Sequence, residues 1–350
     1  MAIFTHPEFD GHELVAFHHD ERSGLSAIIA VHNSNLGKAL GGCRMWPYAS
    51  EAEAITDVLR LSRGMTYKAA LANLPQGGGK SVIIGDPRRD KTPQMMRAMG
   101  QFVESLAGRY SIAEDSGTSV ADIHEMAGVT RYVGGLADAR AQAEGRTGDP
   151  SPATAYGVFV GLKAAVRHRL GRDDLADLHV AIQGVGNVGY RLARHLHEAG
   201  ARLTVTDIHA PHVQRCIDEF GAVSVGMDEI YAVDAEVFAP CALGAILNDT
   251  TIPQLRPRIV AGAANNQLAR PAHDAELKAR GVLYAPDYVI NAGGIIDIYY
   301  EGEAYRWDTV RQHLDRIGDT LRTIFERAEL ESGATGAIAD LLAEERFKRV

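Results

Sequence analysis

The residues with the plainest chemical purpose are three glycines and an aspartate between positions 178 and 209. Gly184, Val185, Gly186, Asn187, Val188 and Gly189 follow an apolar stretch that ends at Gln183. They precede a helical pattern running to about Ala199, and a second apolar stretch then ends at Asp207. In this setting Gly184 suits a tight turn, Gly186 lets the backbone approach a pyrophosphate, and Gly189 lets helix and strand pack closely. The start of the helix offers unpaired N–H groups and a positive dipole end to the phosphates. Asp207 is placed to accept hydrogen bonds from both hydroxyls of a ribose, and its charge repels a 2′-phosphate. No arginine follows to offset it, because Ile208, His209 and Ala210 come next. The expected cofactor is therefore NAD rather than NADP.

A second glycine cluster, Gly77-Gly78-Gly79-Lys80-Ser81, superficially resembles a phosphate loop. That motif needs a glycine where Leu74 stands and a helix after the lysine, whereas SVIIG is strand-like. The phosphate-loop reading fails on both counts.

These residues must be positioned by alternating elements. Strands are expected at 25–32, 81–85 and 110–115, and helices over 51–73 and 94–107. The longer of these helices opens on a Ser50/Glu53 capping-box pattern, with Ile55, Val58, Leu59, Ser62 and Met65 at helical spacing. The other has Pro93 at its first position, and Ser119 is placed to cap a short helix after 115. Residues 136–151 break the pattern and read as a domain junction or mobile loop. A helix then runs from about Pro152 to 170. Strands follow at 178–183, 202–206, 235–239, 258–262 and 282–285, with helices between most of them and three more at about 293–301, 307–330 and 334–347. The fold class is α/β in two domains: an N-terminal α/β domain over 1–150 and a C-terminal Rossmann domain over 151–330, with a last helix (about 331–350) folding back on the first.

Composition narrows the function classes. The 350 residues suffice for two cores, and a formal net charge of -9 does not suggest a nucleic-acid or anionic-membrane surface. No apolar run approaches the ~20 residues that span a bilayer. The start, MAIFTHPEFDGHE, lacks the pattern of a secretory signal, and three scattered cysteines (Cys43, Cys216, Cys241) argue for a reducing compartment. A cytoplasmic protein is expected. Of fourteen histidines, His18/His19 and His195/His197 have spacings that share no helical face, and no HExxH occurs, so no metal site is expected and the histidines read as solvated.

Beyond the nucleotide fingerprint, GGCRMWPY, RGMTYKAALANLPQGGGKSVIIGDP, GRYSIAED, FAPCALG, AGAANNQL and YAPDYVINAGG occur in order from near residue 25 to near 300. Together they resemble the leucine, phenylalanine and valine dehydrogenases within the wider glutamate dehydrogenase superfamily. The resemblance implies an N-terminal substrate and oligomerisation domain, a C-terminal nucleotide domain, a cleft between them, a homo-oligomer, and oxidative deamination of an L-amino acid to a 2-oxo acid and ammonia. It implies that Lys68 holds the substrate α-carboxylate. Lys80 would polarise the 2-oxo oxygen and assist the attacking water, with burial and a nearby Lys68 favouring its neutral form. Asp115 would shuttle protons to the nitrogen, and Gly77–Gly79 would let backbone and substrate come close. Leu40, Gly41, Gly42, Met65, Ile295 and Ile298 would surround the substrate. Asn265 and Asn291 either reach the nicotinamide amide or substrate, or simply form turns.

Leu40 stands where the glutamate enzymes carry a lysine for the side-chain carboxylate. A buried carboxylate there would lack a partner, so an apolar substrate is expected. Bulky Ile295 and Ile298 favour leucine, valine or isoleucine over phenylalanine or tryptophan. Pocket size discriminates by only ~1–3 kcal/mol per methylene, so overlap follows. Three departures from the family pattern bear on preference: Ser116 in place of the usual Val, Cys43 in place of a common Thr, and a charged, lengthened 136–150 stretch. The alternatives are an aromatic amino-acid dehydrogenase and a non-catalytic NAD-binding sensor. The sensor would be expected to lack a lysine or the aspartate, and none is missing.

Overall fold

The computed structural model describes residues 2–136, 149–301 and 305–348. The charged stretch from 137 to 148, noted above as a junction or loop, lies outside them. The chain divides into two compact units: Met1–Asp149 with Ile298–Tyr305 and Ala343–Val350, and Pro150–Asp297 with Arg306–Leu342.

The first unit is built on a five-stranded mixed sheet in the order β1-β2-β4-β3-β5. Its strands are β1 Leu14–Asp20, β2 Leu25–Asn33, β3 Ala39–Trp46, β4 Gly77–Ile84 and β5 Tyr110–Glu114. β3 lies parallel to β4 and β5, while β2 is antiparallel to β1 and β4. Strands β1 and β3 have no counterpart among the expected strands. Glycines 41 and 42 weaken the β-pattern of β3, and pairing on both sides overrides that weakness. Helix α1, Glu51–Leu71, covers one face, where Ala54, Val58 and Leu59 pack on Ile28, Ala30 and Val82. Each large apolar side chain buried this way contributes roughly 1.5–3 kcal/mol. Helices α2 (Pro93–Ser105) and α3 (Val120–Ala127) carry the opposite core, with Met96, Met99 and Met126 against Ile29, Met45 and Tyr110.

Caps set where these helices start. The Ser50 hydroxyl accepts the Glu53 N–H at 3.2 Å, but the Glu53 carboxylate takes the Ala49 N–H instead of that of Ser50, so the expected box is only half closed. The complete box is at α3, where Ser119 and Asp122 bond each other's N–H groups.

The second unit holds a six-stranded, all-parallel sheet in the order β11-β10-β9-β6-β7-β8. Its strands are β6 His179–Gln183, β7 Arg202–Thr206, β8 Val223–Ser224, β9 Val237–Pro240, β10 Ile259–Val260 and β11 Leu283–Tyr284. The order places the first strand beside the fourth, the arrangement that opens a crevice at the strand ends. Its helices are α4 Ser151–Leu170, α5 Asn187–Glu198, α6 Ala210–Phe220, α7 Ala272–Ala279, α8 Asp287–Ile290, α9 Gly293–Tyr299, α10 Trp307–Leu330 and α11 Thr335–Phe347. The last residues of α9 and α11, from Ile298 and Ala343, belong to the first unit. There the Tyr67 hydroxyl donates to Glu344 at 2.8 Å, and the Phe347 ring lies 5.3 Å from that of Tyr67.

Candidate functional site

In the first unit, side chains alternate along each strand, and the alternation sorts the candidates. Ala39, Cys43 and Met45 of β3 belong to the core under α2, so Leu40, Gly42 and Arg44 face the other way, toward the α1 side. On β4, Val82 packs under α1, which puts Gly78 and Lys80 on the same face. Gly42 lies next to Lys80 and opposite Ala113. Asp115 follows β5 directly.

Lys80 is buried, and its Nζ lies 2.5 Å from Asp115 Oδ2. The same oxygen faces Arg44 Nε at 3.4 Å. Arg44 in turn donates to Asp57 Oδ2 at 3.0 Å, and the Tyr48 hydroxyl donates to that oxygen at 2.6 Å. Burial alone would raise the Asp115 carboxyl, but the Lys80 ammonium and the Arg44 guanidinium outweigh it and hold the group well below the usual carboxylate range. The Asp115 N–H donates to Thr118 Oγ1 at 3.0 Å, which fixes the chain at the strand end. Gly42 makes the pairing possible: a Cβ there would sit 2.7 Å from Asp115 Cβ and 3.2 Å from Lys80 Nζ. Arg44, Asp57 and Tyr48 carry no role in the sequence reading. Arg44 is three residues after Gly41, within a quoted motif, but nothing local ties it to an aspartate 71 positions away.

The triple glycine answers to a different need from the one expected. A Cβ on Gly78 would meet Thr66 N of α1 at 2.0 Å, one on Gly77 would meet Asn33 O at 2.4 Å, and one on Gly79 would meet the Tyr110 ring at 2.6 Å. The close approach is therefore to the protein's own atoms. It seats the C-terminal half of α1, with Met65 and Lys68 one turn apart, against the strand that carries Lys80. Leu40 and Ile298 also come together: a Cβ on Gly134 would lie 3.2 Å from Ile298 Cγ2 and 3.4 Å from Leu40 Cδ1. Ile295 is buried in the second unit.

In the second unit the three fingerprint glycines differ as the motif requires. Gly184 has φ +89 and would place a Cβ 2.7 Å from Ala242 Cβ. Gly189 would meet Gly184 O at 1.9 Å. Gly186 caps α5 without a side-chain partner and has nothing within 4 Å, so its Cβ side is open where a pyrophosphate would approach. Val185 is buried, and Asn187 and Val188 form the first turn of α5. Asp207 does more than expected: Oδ2 accepts the Val185 N–H and Oδ1 the His209 N–H, each at 2.8 Å, so it also shapes the glycine turn. Asn291 and Asn265 are brought together, Asn291 Nδ2 donating to Asn265 Oδ1 at 2.8 Å. Buried Asn291 Oδ1 has no partner among the described residues. An orphaned acceptor suits a carboxamide N–H, so the donor set and the open turn fit a nicotinamide dinucleotide.

The reading of the histidines as solvated fails at His12, His32, His273 and His313, which are buried. His12 and His32 pack ring to ring at 4.9 Å beneath α1. His32 Nδ1 is 2.9 Å from Thr66 Oγ1, and His12 Nε2 is 3.0 Å from Leu59 O. Burial, then the neighbouring His12, pushes His32 down to about 4. Asp249, His273 and Glu276 bring donor atoms within 4.8 Å of one another, and the Arg270 guanidinium already pairs with Asp249 there. The three cysteines are free, and no helix among the described residues is long and apolar enough to cross a membrane.

Residues 12–132 match the family model described as Glu/Leu/Phe/Val dehydrogenase, dimerisation domain. Residues 145–215 and 208–331 match that of Glutamate/Leucine/Phenylalanine/Valine dehydrogenase. A leucine dehydrogenase from Geobacillus stearothermophilus is 50% identical over 348 residues, 99% of this chain and 94% of that protein. A phenylalanine dehydrogenase from Caldalkalibacillus thermarum is 45% identical, over 100% of this chain and 95% of that protein. The crystal structure of L-tryptophan dehydrogenase from Nostoc punctiforme superposes with a TM-score of 0.84 at 46% identity, covering 97% of this chain and 96% of that one.

Proposed function

As the chain belongs to the Glu/Leu/Phe/Val dehydrogenase family, we propose that it oxidatively deaminates a branched apolar L-amino acid, leucine before valine and isoleucine, to the 2-oxo acid and ammonia, reversibly and with NAD. The observation that carries this is the pair formed by buried Lys80 and half-buried Asp115 at 2.5 Å on the sheet face that also bears Leu40 and Gly42. The first unit serves as the substrate domain and the second as the nucleotide domain. Lys68 holds the α-carboxylate as a fixed cation, near Met65 and the backbone of Gly41 and Gly42. Lys80 polarises the substrate's reacting carbon–oxygen or carbon–nitrogen bond and receives a proton from the attacking water. Asp115, held as a carboxylate, accepts and returns the proton of the leaving nitrogen. When bound, NAD would supply the hydride-acceptor chemistry at the substrate Cα. Gly184–Gly189 and the start of α5 hold its pyrophosphate, Asp207 its ribose, and Asn291 with Asn265 its carboxamide. Asp207 has spare lone pairs besides its two backbone partners, and its charge disfavours a 2′-phosphate.

Leucine is supported by Leu40 and Ile298 flanking Gly134, and by relatives at 50% identity named for that substrate. An aromatic substrate is the second reading, supported by the 45% identical phenylalanine enzyme and the L-tryptophan dehydrogenase structure. A homo-oligomer is proposed from the match to a dimerisation domain, and a cytoplasmic site of action from the three free cysteines. The test is NADH formation with a panel of L-amino acids, run with NAD and NADP. The expected result is the highest kcat/KM with leucine and NAD. A higher value with phenylalanine or tryptophan moves the assignment to the aromatic reading, and NAD binding without turnover on any amino acid makes the protein a sensor.

A further inference from the structure

Asp115 presents one oxygen to two cations, Lys80 at 2.5 Å and Arg44 at 3.4 Å. The two cations differ in kind. A lysine can lose its proton, whereas a guanidinium stays charged throughout the working pH range. Arg44 is also tied from behind, its NH1 on Asp57 and Asp57 on the Tyr48 hydroxyl at 2.6 Å. The proposed deamination, on which this inference rests, takes Lys80 through a neutral state. At that moment a buried carboxylate with no second cation would be left without a counter-charge, an unfavourable state in a dry site.

We infer that Arg44 is a positioning residue for the reaction: tethered by Asp57 and Tyr48, it keeps the Asp115 carboxylate charged and in place whichever protonation state Lys80 occupies. Lys80, Arg44, Asp115 and Asp57 are two cations and two carboxylates, neutral together. Loss of the Lys80 proton leaves one net negative charge. With methionine at 44 the same step leaves two, so it becomes harder. With asparagine at 57 it leaves none, so it becomes easier. Besides Tyr48, the other titratable groups that interact with Asp115 among the described residues are the Cys43 thiol on β3, and Tyr110 and Glu114 on β5, the strand Asp115 follows. Burial holds the Cys43 and Tyr110 groups protonated, so neither substitutes for the guanidinium.

The test is the pH dependence of kcat/KM for leucine oxidation by the purified full-length protein and by R44M, R44K and D57N. In R44M the rising limb is expected to move to higher pH by about one unit, and kcat to fall ~10-fold or more. R44K, which keeps a cation, should return the limb most of the way, whereas a purely steric role would leave R44K no better than R44M. D57N should move the limb the opposite way, and it keeps the question answerable if R44M does not fold. A readout independent of turnover is the pH dependence of Lys80 acetylation by acetic anhydride in cofactor-free protein, followed by peptide mass spectrometry, which should shift with the same signs. Unmoved limbs in R44M and D57N, with only lowered amplitude or stability, overturn the inference while leaving the dehydrogenase reading intact. A parent protein that forms no NADH with any amino acid removes both.

Discussion

Two buried polar clusters flank α1 in the first unit, and they treat charge in opposite ways. Around Asp115 the charged form survives burial, because Lys80 and Arg44 stand against one oxygen. Around His32 the charged form is suppressed, because burial is joined by a neighbouring histidine ring, and the Asp10 carboxylate 3.5 Å away is half exposed. Desolvation is the largest influence in both places. What differs is whether a fixed opposite charge shares the buried space. Charge retained beside Gly42 is what an acid–base site needs, whereas neutral imidazoles bonded to Thr66 and Leu59 serve to dock α1.

The sharpest way to break this contrast is to remove the lysine. Lys80→Ala should lower kcat by about 10³-fold with an unchanged circular dichroism spectrum, because Arg44 still neutralises Asp115. Near-normal turnover in that variant would take Lys80 out of the chemistry.

The next effect is on stability against pH. His32 has a folded value of about 4, below the ordinary 6.5. Above pH 6.5 neither state takes up a proton, so His32 adds no pH dependence. Between 6.5 and 4 the unfolded chain is protonated and the folded one is not, so stability falls with pH by on the order of 3 kcal/mol, then levels off for this group. The sign for Asp115 is the same but its window lies lower: its depressed folded value also means that stability is lost as pH falls, here only once pH drops below the ordinary carboxylate range. Urea unfolding from pH 7 to pH 4 should show the histidine loss first, and His32→Asn should flatten that window. A window of equal slope in the variant would mean that His32 is not the titrating group.

Gly42→Ala probes the charged cluster through space alone. A methyl 2.7 Å from Asp115 Cβ and 2.8 Å from Glu114 O must push the strand end away. The expected cost is ~1–3 kcal/mol in urea unfolding, with a drop in kcat/KM larger than that of a surface Gly→Ala control. The smallest expected effect is that of Lys68→Ala, which should raise KM for leucine ~10-fold with a lesser change in kcat, as fits loss of a ground-state carboxylate contact. A change confined to kcat would place Lys68 in the chemical step instead.

Most elements were legible because their signals are local. The second β-strand, α1, α2 and β7 lie within a few residues of the spans that periodicity and caps suggest, and the βαβ unit around Gly184 carries its own punctuation. Strands β1 and β3 were not legible. One is a half-exposed edge strand, and the other is interrupted by glycines that only its neighbours explain. Within the site, Lys80 and Asp115 stood out by motif, whereas Arg44 and Asp57 did not. Their partnership depends on how β3 sits between β4 and β5 and under α1.

The chain by itself determined residue types and short-range order: the dinucleotide turn, the acid at 207, the lysines at 68 and 80, and the apolar residue at 40. Only tertiary structure decided which oxygen is shared by two cations, which histidines stay neutral, and which glycines make room for protein rather than ligand. The reason is physical. Turn and helix preferences act over a few residues, whereas desolvation and Coulomb energies depend on distances between atoms that the sequence separates by tens of positions.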